Sequence, residues 1–512
     1  MKTRVAIFTL ALAGTFAGLA EKPFLAFNED DTHYYGRPEN VNREGFRRYI
    51  ANVCRGHVTH FFLCANAQRA IFDSKTFDSA WKGRENPRGY AANLKRLVDS
   101  GLDPIQLWLE CCREKGVSFW VSMRMNDIHD VNDIDNIYHS SFWREHPEYW
   151  RMAASDYNRN RAFNYAIPEV RAYHLAFIKE LIDRYDADGF ELDWLRFPNH
   201  LPGGKETQLS YLLTDFVRQV RVHADAAAKK RGHPVKIGVR VSSSPEGAAG
   251  YGENVVDWAR QGLVDLIVPC NYYATANFDT PIARWMRMIR EVNPDVLVIP
   301  GTDSGVVMDN LTRRRMMNTA EYCGWAESIW AEGAKGLYLF NLYENPPDSE
   351  TWNTVLSTGL NPEYVADARR LVPKSYCDAA GGFDNGRRLP ASLKRGAFLQ
   401  LRIGHPPKKG AAGVYVAFDS EKIPDEFLKG ITLNGVANTG VEPVPATGWV
   451  GGIIANAANM ASAKQYLSPS VKSSFRCAFP LSALVSGQNE VGFMRHETLK
   501  VVCCELEIDP NG

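Results

Sequence analysis

Between residues 23 and 360, short apolar runs alternate with longer stretches whose apolar residues recur at helical spacing. Eight of the runs read as strands: Phe24 to Phe27, Val58 to Cys64, Val117 to Met123, Asp188 to Trp194, Lys236 to Val241, Asp265 to Cys270, Val296 to Ile299 and Gly336 to Phe340. The intervening stretches read as helices. Val170 to Tyr185 places Ala172, Leu175, Ile178, Leu181 and Ile182 on one stripe, and Gln208 to Lys230 repeats the pattern. Strands separated by helices give a parallel sheet, and eight such units predict a closed (β/α)8 barrel of the α/β class. A doubly wound open sheet is the rival, but it carries a Gly-rich phosphate turn after its first strand. Here the first strand runs into Asn28-Glu29-Asp30-Asp31-Thr32-His33-Tyr34-Tyr35, an acidic and aromatic loop.

The pattern changes near residue 375. Gly, Ser, Pro and Asn become frequent, and short alternating runs such as Phe398 to Ile403, Gly413 to Phe418 and Val501 to Ile508 replace the helical stretches. These predict a smaller C-terminal β-sandwich. The chain therefore divides into a barrel over 21–372 and a sandwich over 373–512, behind an N-terminal leader at 1–20. Lys2 and Arg4 precede an apolar run from Val5 to Phe16 and small residues at Gly18-Leu19-Ala20, a pattern that predicts secretion or export to the periplasm. A membrane anchor needs about 20 apolar residues, and this run is shorter. No later segment is predicted to span a membrane.

Composition narrows the partners. Lys plus Arg and Asp plus Glu number 59 each, so no global field draws a polyanion, and no basic stripe points to nucleic acid. The ten cysteines show no CxxC spacing, which fits buried thiols better than a metal site. No HExxH, HxxxH or paired His-Asp spacing predicts a metal, no cofactor is implied, and no Gly-x-Ser-x-Gly elbow predicts a serine esterase. Nothing in the pattern sets an oligomeric state.

Barrel sites form at the C-terminal ends of the strands, and those ends are polar here. The third carries Arg124, Asn126, Asp127 and His129; the fifth Arg240, Ser242 and Ser244; the sixth Asn271-Tyr272-Tyr273; the seventh Asp303; the eighth Asn341, Tyr343 and Glu344. In the fourth, Asp188 to Trp194, the acids Glu191 and Asp193 alternate with Phe190, Leu192 and Trp194. Period-two geometry puts both acids on one face, their Cα atoms roughly 6.6 Å apart at about 3.3 Å per residue. Glycosidases use two carboxyl groups about 5 to 9.5 Å apart, one to protonate the leaving oxygen and one as nucleophile or base. The structural alternative is that Glu191 pairs with Arg124 or Arg240 inside the barrel. Asp193, nearer the mouth, is the principal catalytic candidate, with Glu191, Asp303 or Glu344 as its counterpart. Candidate substrate contacts are Asp30, Asp31, His33, Arg124, Asn126, Asp127, Trp194, Arg196, Asn271, Tyr272, Tyr273 and Asn341.

The segment from Asp188 to Pro198 resembles the fourth-strand signature of family-10-like glycosyl-hydrolase barrels, and Asp193 matches their central Asp. The opening loop Asn28 to Tyr35 and the strand Val121 to Asp127 are similar to that group as well, and the likeness covers the barrel only. The sequence departs from the commoner pattern at Trp194, where the group has a second Asp. The stretch Phe479 to Leu484 with Gly487 to Val491 resembles the late strands of a galactose-binding-like jelly roll. The resemblance implies hydrolysis of an O-glycosidic bond in an extracellular polysaccharide or glycan. A carbohydrate-binding barrel without catalysis is the alternative, and a metal-dependent deacetylase ranks third.

Overall fold

The computed structural model describes residues 23–30, 33–152, 158–271, 275–308, 314–375, 389–445 and 471–512. The leader at 1–20 and the candidates Asp31, Tyr272 and Tyr273 lie outside the described residues.

Six parallel strands follow one another as neighbours: β1 (Phe24–Glu29), β2 (His60–Cys64), β3 (Ser118–Arg124), β4 (Gly189–Asp193), β5 (Lys236–Ser242) and β6 (Leu266–Cys270). The seventh predicted strand, Val296 to Ile299, is found as the two-residue β7 (Leu297–Val298), and a further short strand, β8 (Gly301–Thr302), follows Pro300; then come the hairpin strands β9 (Gly305–Val307) and β10 (Arg314–Met316), and β11 (Gly336–Leu339) completes the set. β7 pairs with β6 and β8 with β11, giving a nine-stranded parallel sheet in the order β7-β6-β5-β4-β3-β2-β1-β11-β8. The expected closed eight-strand barrel is thus corrected to a TIM-like curved sheet whose ends are the short strands on either side of Pro300, β7 and β8. Ile299 N still donates to Ile267 O, 2.9 Å away, whereas Pro300 O accepts from Tyr338 N, 2.9 Å away, so the pairing changes sides at a residue with no N–H to give.

Helices cover the outer face. Pro168–Arg184 buries Val170, His174, Phe177, Ile178, Leu181 and Ile182, while Ala172 is exposed and Leu175 half-buried. The stripe is rotated from the expected one because His174, edge-on to Phe77 and Phe163, and Phe177, stacked on Phe77, take the inward positions. The inside of the sheet holds a second apolar cluster, Ala26, Phe62, Trp120, Leu266, Val268, Ile299, Tyr338 and Phe340. Trp120 fills its floor by lying over Gly189: a Cβ on that glycine would sit 2.5 Å from the indole. The apolar floor leaves the polar strand ends as the upper layers.

The C-terminal part contains two antiparallel sheets. The larger has six strands, β12 (Arg370–Pro373), β13 (Ala391–Ser392), β15 (Ala411–Phe418), β18 (Gly440–Pro443), β19 (Ser473–Phe479) and β21 (Lys500–Asp509). The smaller has four, β14 (Ala397–Ile403), β16 (Thr432–Leu433), β17 (Val436–Ala437) and β20 (Gly487–Phe493). In β14, Ala397, Leu399, Leu401 and Ile403 are buried between exposed or half-buried neighbours, the alternation of a sheet packed on one face. Ion pairs fasten this part to the barrel: Arg370 to Glu327 at 3.1 Å, and Arg402 to Asp279 and Glu332 at 2.7 Å each. The nine cysteines among the described residues are free thiols, and eight are buried. No helix among the described residues is long and apolar enough to cross a membrane.

Candidate active site

Strand register builds the site in layers. Across β3, β4 and β5, Ser122 aligns with Glu191 and Gly238, and one pleat higher Arg124 aligns with Asp193 and Arg240. Alternate residues share a face, so Glu191 and Asp193 both point inward and Phe190, Leu192 and Trp194 outward.

The lower carboxyl forms no ion pair among the described residues, although the Arg240 charge acts on it. Glu191 Oε1 accepts from Ser122 Oγ at 2.7 Å and from the Tyr338 hydroxyl at 3.0 Å, and Asn28 Nδ2 donates to that hydroxyl at 2.8 Å. Oε2 is buried without a hydrogen-bond partner. Burial, reinforced by the Asp193 charge, pushes the Glu191 carboxyl up to about 7. The alternative pairing with Arg124 or Arg240 does not form, because both arginines are committed elsewhere.

Arg240 is committed to the upper carboxyl. Its Nη2 donates to Asp193 Oδ2 at 2.7 Å, and its guanidinium lies 3.8 Å from the centre of the Phe340 ring. Burial raises the Asp193 carboxyl even against the pull of the Arg240 guanidinium, with the Asp30 charge adding to the rise. Leu195 N donates to Asp193 Oδ1 at 3.2 Å.

Arg124 lies between two rim acids. It donates to Asp30 at 3.0 and 3.3 Å and to Asp127 at 2.7 Å, and Asp127 also receives His129 Nδ1 at 2.9 Å. Burial alone would raise both acids. For Asp30, Arg124, Arg196 and Arg240 outweigh it, and for Asp127, His129 and Arg124 do, holding each well below the carboxylate range. Arg196 Nη2 stands 3.5 Å from both Asp30 and His129, with its side chain 21% exposed.

The far side carries a separate acid cluster. Asp303 accepts from Arg314 at 2.8 Å, Asn341 Nδ2 at 3.0 Å and Gly305 N at 3.1 Å. Glu344 accepts from Ser304 Oγ at 2.9 Å and pairs with the same Arg314. Burial, then the neighbouring Asp303 charge, raises the Glu344 carboxyl. Asn341 holds a left-handed backbone, φ +58°, that a short polar side chain tolerates. No hydrogen bond or ion pair joins Asp303 or Glu344 to Asp193.

Three expected contacts are structural. Trp194, expected to touch substrate, is fully buried on the outer face against Tyr165, His200, Phe216 and Trp258, because its phase on β4 is opposite to that of the acids. Asn126 clamps Phe163 through its backbone N and O, and Asn271 Nδ2 donates to Thr275 O at 3.1 Å. His33 pairs with Glu29 at 2.9 Å and stacks on Tyr343 at 4.1 Å, at the edge of the rim. Sequence reasoning passed over Tyr338 and Phe340, although their alternation in the eighth strand marks the inner face. It also passed over Arg314, whose three-residue strand has no periodic signal. Among the described residues no group of three or more His, Cys, Asp or Glu is arranged to hold a metal ion.

Glycosyl hydrolase DigH of Escherichia coli strain K12 is 24% identical over 225 residues, 36% of this chain and 50% of its own length. The chain is weakly similar to a glycosyl hydrolase. It spans about half the length of the curated relatives it matches, and no family model matches it, so the family-10-like group as such is not shown. Among solved structures, the maltogenic α-amylase AmyB from Thermotoga neapolitana is 11% identical, with 93% of this chain and 99% of that one covered at a TM-score of 0.36. A GH27 β-L-arabinopyranosidase from Geobacillus stearothermophilus is 10% identical, with 96% and 97% covered at a TM-score of 0.38.

Proposed function

We propose that this chain is a glycoside hydrolase of the family-10-like type, exported to act on an O-glycosidic bond of an extracellular polysaccharide or glycan. The observation that carries the proposal is the divergence of two acids on one strand face. Asp193 is paired with Arg240, whereas Glu191 meets only hydroxyl donors and keeps its proton to about neutral pH. Retaining and inverting enzymes both need such a division, one carboxyl to give a proton and one carboxylate to attack or to activate water. Asp193 is assigned as the nucleophile or base and Glu191 as the proton donor, with Asp303 and Glu344 as the candidates across the mouth. The galactose-binding-like likeness of the sandwich and the chain's weak similarity to a glycosyl hydrolase support a glycan as substrate.

The test is a panel of isolated polysaccharides and glycans, with reducing ends counted for wild type, Asp193→Asn and Glu191→Gln. The proposal expects new reducing ends from wild type on at least one substrate and a loss of about 10²-fold or more in each variant. Full activity in Asp193→Asn would remove the assignment. A second reading follows from the burial of Asp193, 1% exposed with one oxygen held by Arg240: a barrel that binds carbohydrate without cleaving it. Glycan binding that survives in Asp193→Asn, with no turnover by wild type, selects that reading.

A further inference from the structure

β10 turns two adjacent arginines in opposite directions, as neighbours on a strand must. Arg314 faces the barrel mouth, where its Nη2 lies 2.8 Å from Asp303 Oδ1 and 3.0 Å from Ser304 Oγ and also pairs with Glu344. Arg315 faces the C-terminal sheets. Its Nη2 lies 2.5 Å from Glu321 Oε1 and 3.3 Å from Glu505 Oε1.

The two acids around Arg315 belong to different parts of the chain. Glu321 opens the barrel helix Thr319–Ala331, and its other oxygen caps that helix by accepting from Asn318 N at 2.9 Å. Glu505 stands on β21, opposite Tyr415 of β15 and Pro373 of β12 in the six-stranded sheet. Burial, with Glu321 adding, pushes the Glu505 carboxyl up to about 8 against the pull of Arg315. Arg315 therefore bridges an acid of the barrel helix and an acid of the six-stranded sheet in a buried junction.

Among the described residues β10 pairs only with β9, Arg314 to Val307, Arg315 to Val306 and Met316 to Gly305, and Met317 N adds one bond to Ser304 O at 2.8 Å. A two-stranded ribbon this short is marginal by itself, so its side-chain anchors fix where it lies. One anchor is in the mouth and the other is on the sandwich.

We propose that the C-terminal sandwich positions the mouth carboxylates Asp303 and Glu344 through this strand, with Glu505 and Arg315 as positioning residues and Arg314 as the group that contacts the acids. The coupling stands on geometry alone; its relevance to catalysis rests on the glycosidase reading above. It gives the second domain a part in the site that does not depend on its own affinity for glycan.

The experiment titrates the Glu344 carboxyl of the full chain by ¹³C NMR with labelled glutamate, the signal assigned by its loss in Glu344→Gln. Arg314→Met should raise the Glu344 pKa by about 1–3 units, the effect of removing an adjacent cation. Glu505→Gln and Arg315→Met, with melting curves showing that each is folded, should move it in the same direction by at least about 0.5 unit, and Arg315→Lys should restore it. A Glu344 titration that responds to Arg314→Met but stays at the wild-type value in both folded junction variants overturns the proposal. If Glu505→Gln does not fold, the contrast between Arg315→Met and Arg315→Lys decides. Wild-type protein that cleaves no glycan while the junction variants still shift Glu344 would reject the glycosidase reading and leave the coupling intact.

Discussion

Asp193 and Glu191 stand two residues apart on the same face of β4, and of the two Asp193 is the one in an ion pair, with Arg240 Nη2 2.7 Å from its Oδ2. Both partners of that pair are buried, so each depends on the other for solvation. Removing one leaves a buried, uncompensated charge. Arg240→Met should therefore cost about 3–5 kcal/mol, while the double variant Arg240→Met with Asp193→Leu should recover much of it. Denaturant unfolding of the two proteins checks this, and a single variant within about 1 kcal/mol of wild type would show that water reaches the pair.

Glu191 makes stability depend on pH. Its carboxyl titrates at about 7 in the folded chain against 4.5 for an unburied glutamate, so the folded state binds the proton more tightly. The contribution is complete below the unfolded value and is lost as pH rises through the folded one. Between those values wild type should lose about 3 kcal/mol, because each pKa unit is worth about 1.4 kcal/mol. Glu191→Gln keeps an uncharged side chain at every pH and should lack that slope. Unfolding free energies of the two proteins at a series of pH values between 5 and 8 give the answer, and parallel curves would place the Glu191 titration outside this window.

Much of the barrel could be read from alternation, and the reasons it failed are local. Seven of the predicted strands recur with ends shifted by a residue or two, because an apolar run between polar loops has few ways to pair. The seventh shrinks to two residues, and pairing resumes on the other side, with β11, only beyond Pro300, a residue visible in the sequence whose effect on pairing is not. The inward phase of Glu191 and Asp193 followed from period two alone. Their partners did not: nothing in the spacing says that Arg240 takes Asp193 while Arg124 takes Asp30 and Asp127, since that choice is made by register across three strands. Trp194 shows the same rule neglected, as its odd position after Asp193 already placed it under the helices.

Tyr338 holds Glu191 in place through one hydroxyl, which donates to Oε1 at 3.0 Å and accepts from Asn28 at 2.8 Å. A donor to a carboxylate favours the ionised form, so Tyr338→Phe should raise the Glu191 pKa further. It also strands Asn28 Nδ2, a buried donor, at a cost of about 1–3 kcal/mol. The stability loss should be largest at high pH, where Glu191 is charged and misses the donor most. A Tyr338→Phe protein whose unfolding free energy matches wild type at both ends of the pH range would mean that water replaces the hydroxyl.

The floor beneath these acids is set by the contact of Trp120 with Gly189. A methyl group at position 189 would stand 2.5 Å from indole carbons, far inside van der Waals contact, and the ring is also bounded by Gly238 and stacked on Phe62 at 5.0 Å. Gly189→Ala should cost about 1–3 kcal/mol as overpacking, although the change adds a single carbon on a strand where alanine is otherwise tolerated. Trp120→Leu, which makes room but leaves a cavity, should be destabilising alone by several kcal/mol and should remove the penalty of Gly189→Ala when the two are combined. The sign of that interaction energy is the decisive quantity: strictly additive losses in a double-mutant cycle would show that the indole does not set the glycine, and that the layer carrying Glu191 rests on something other than this contact.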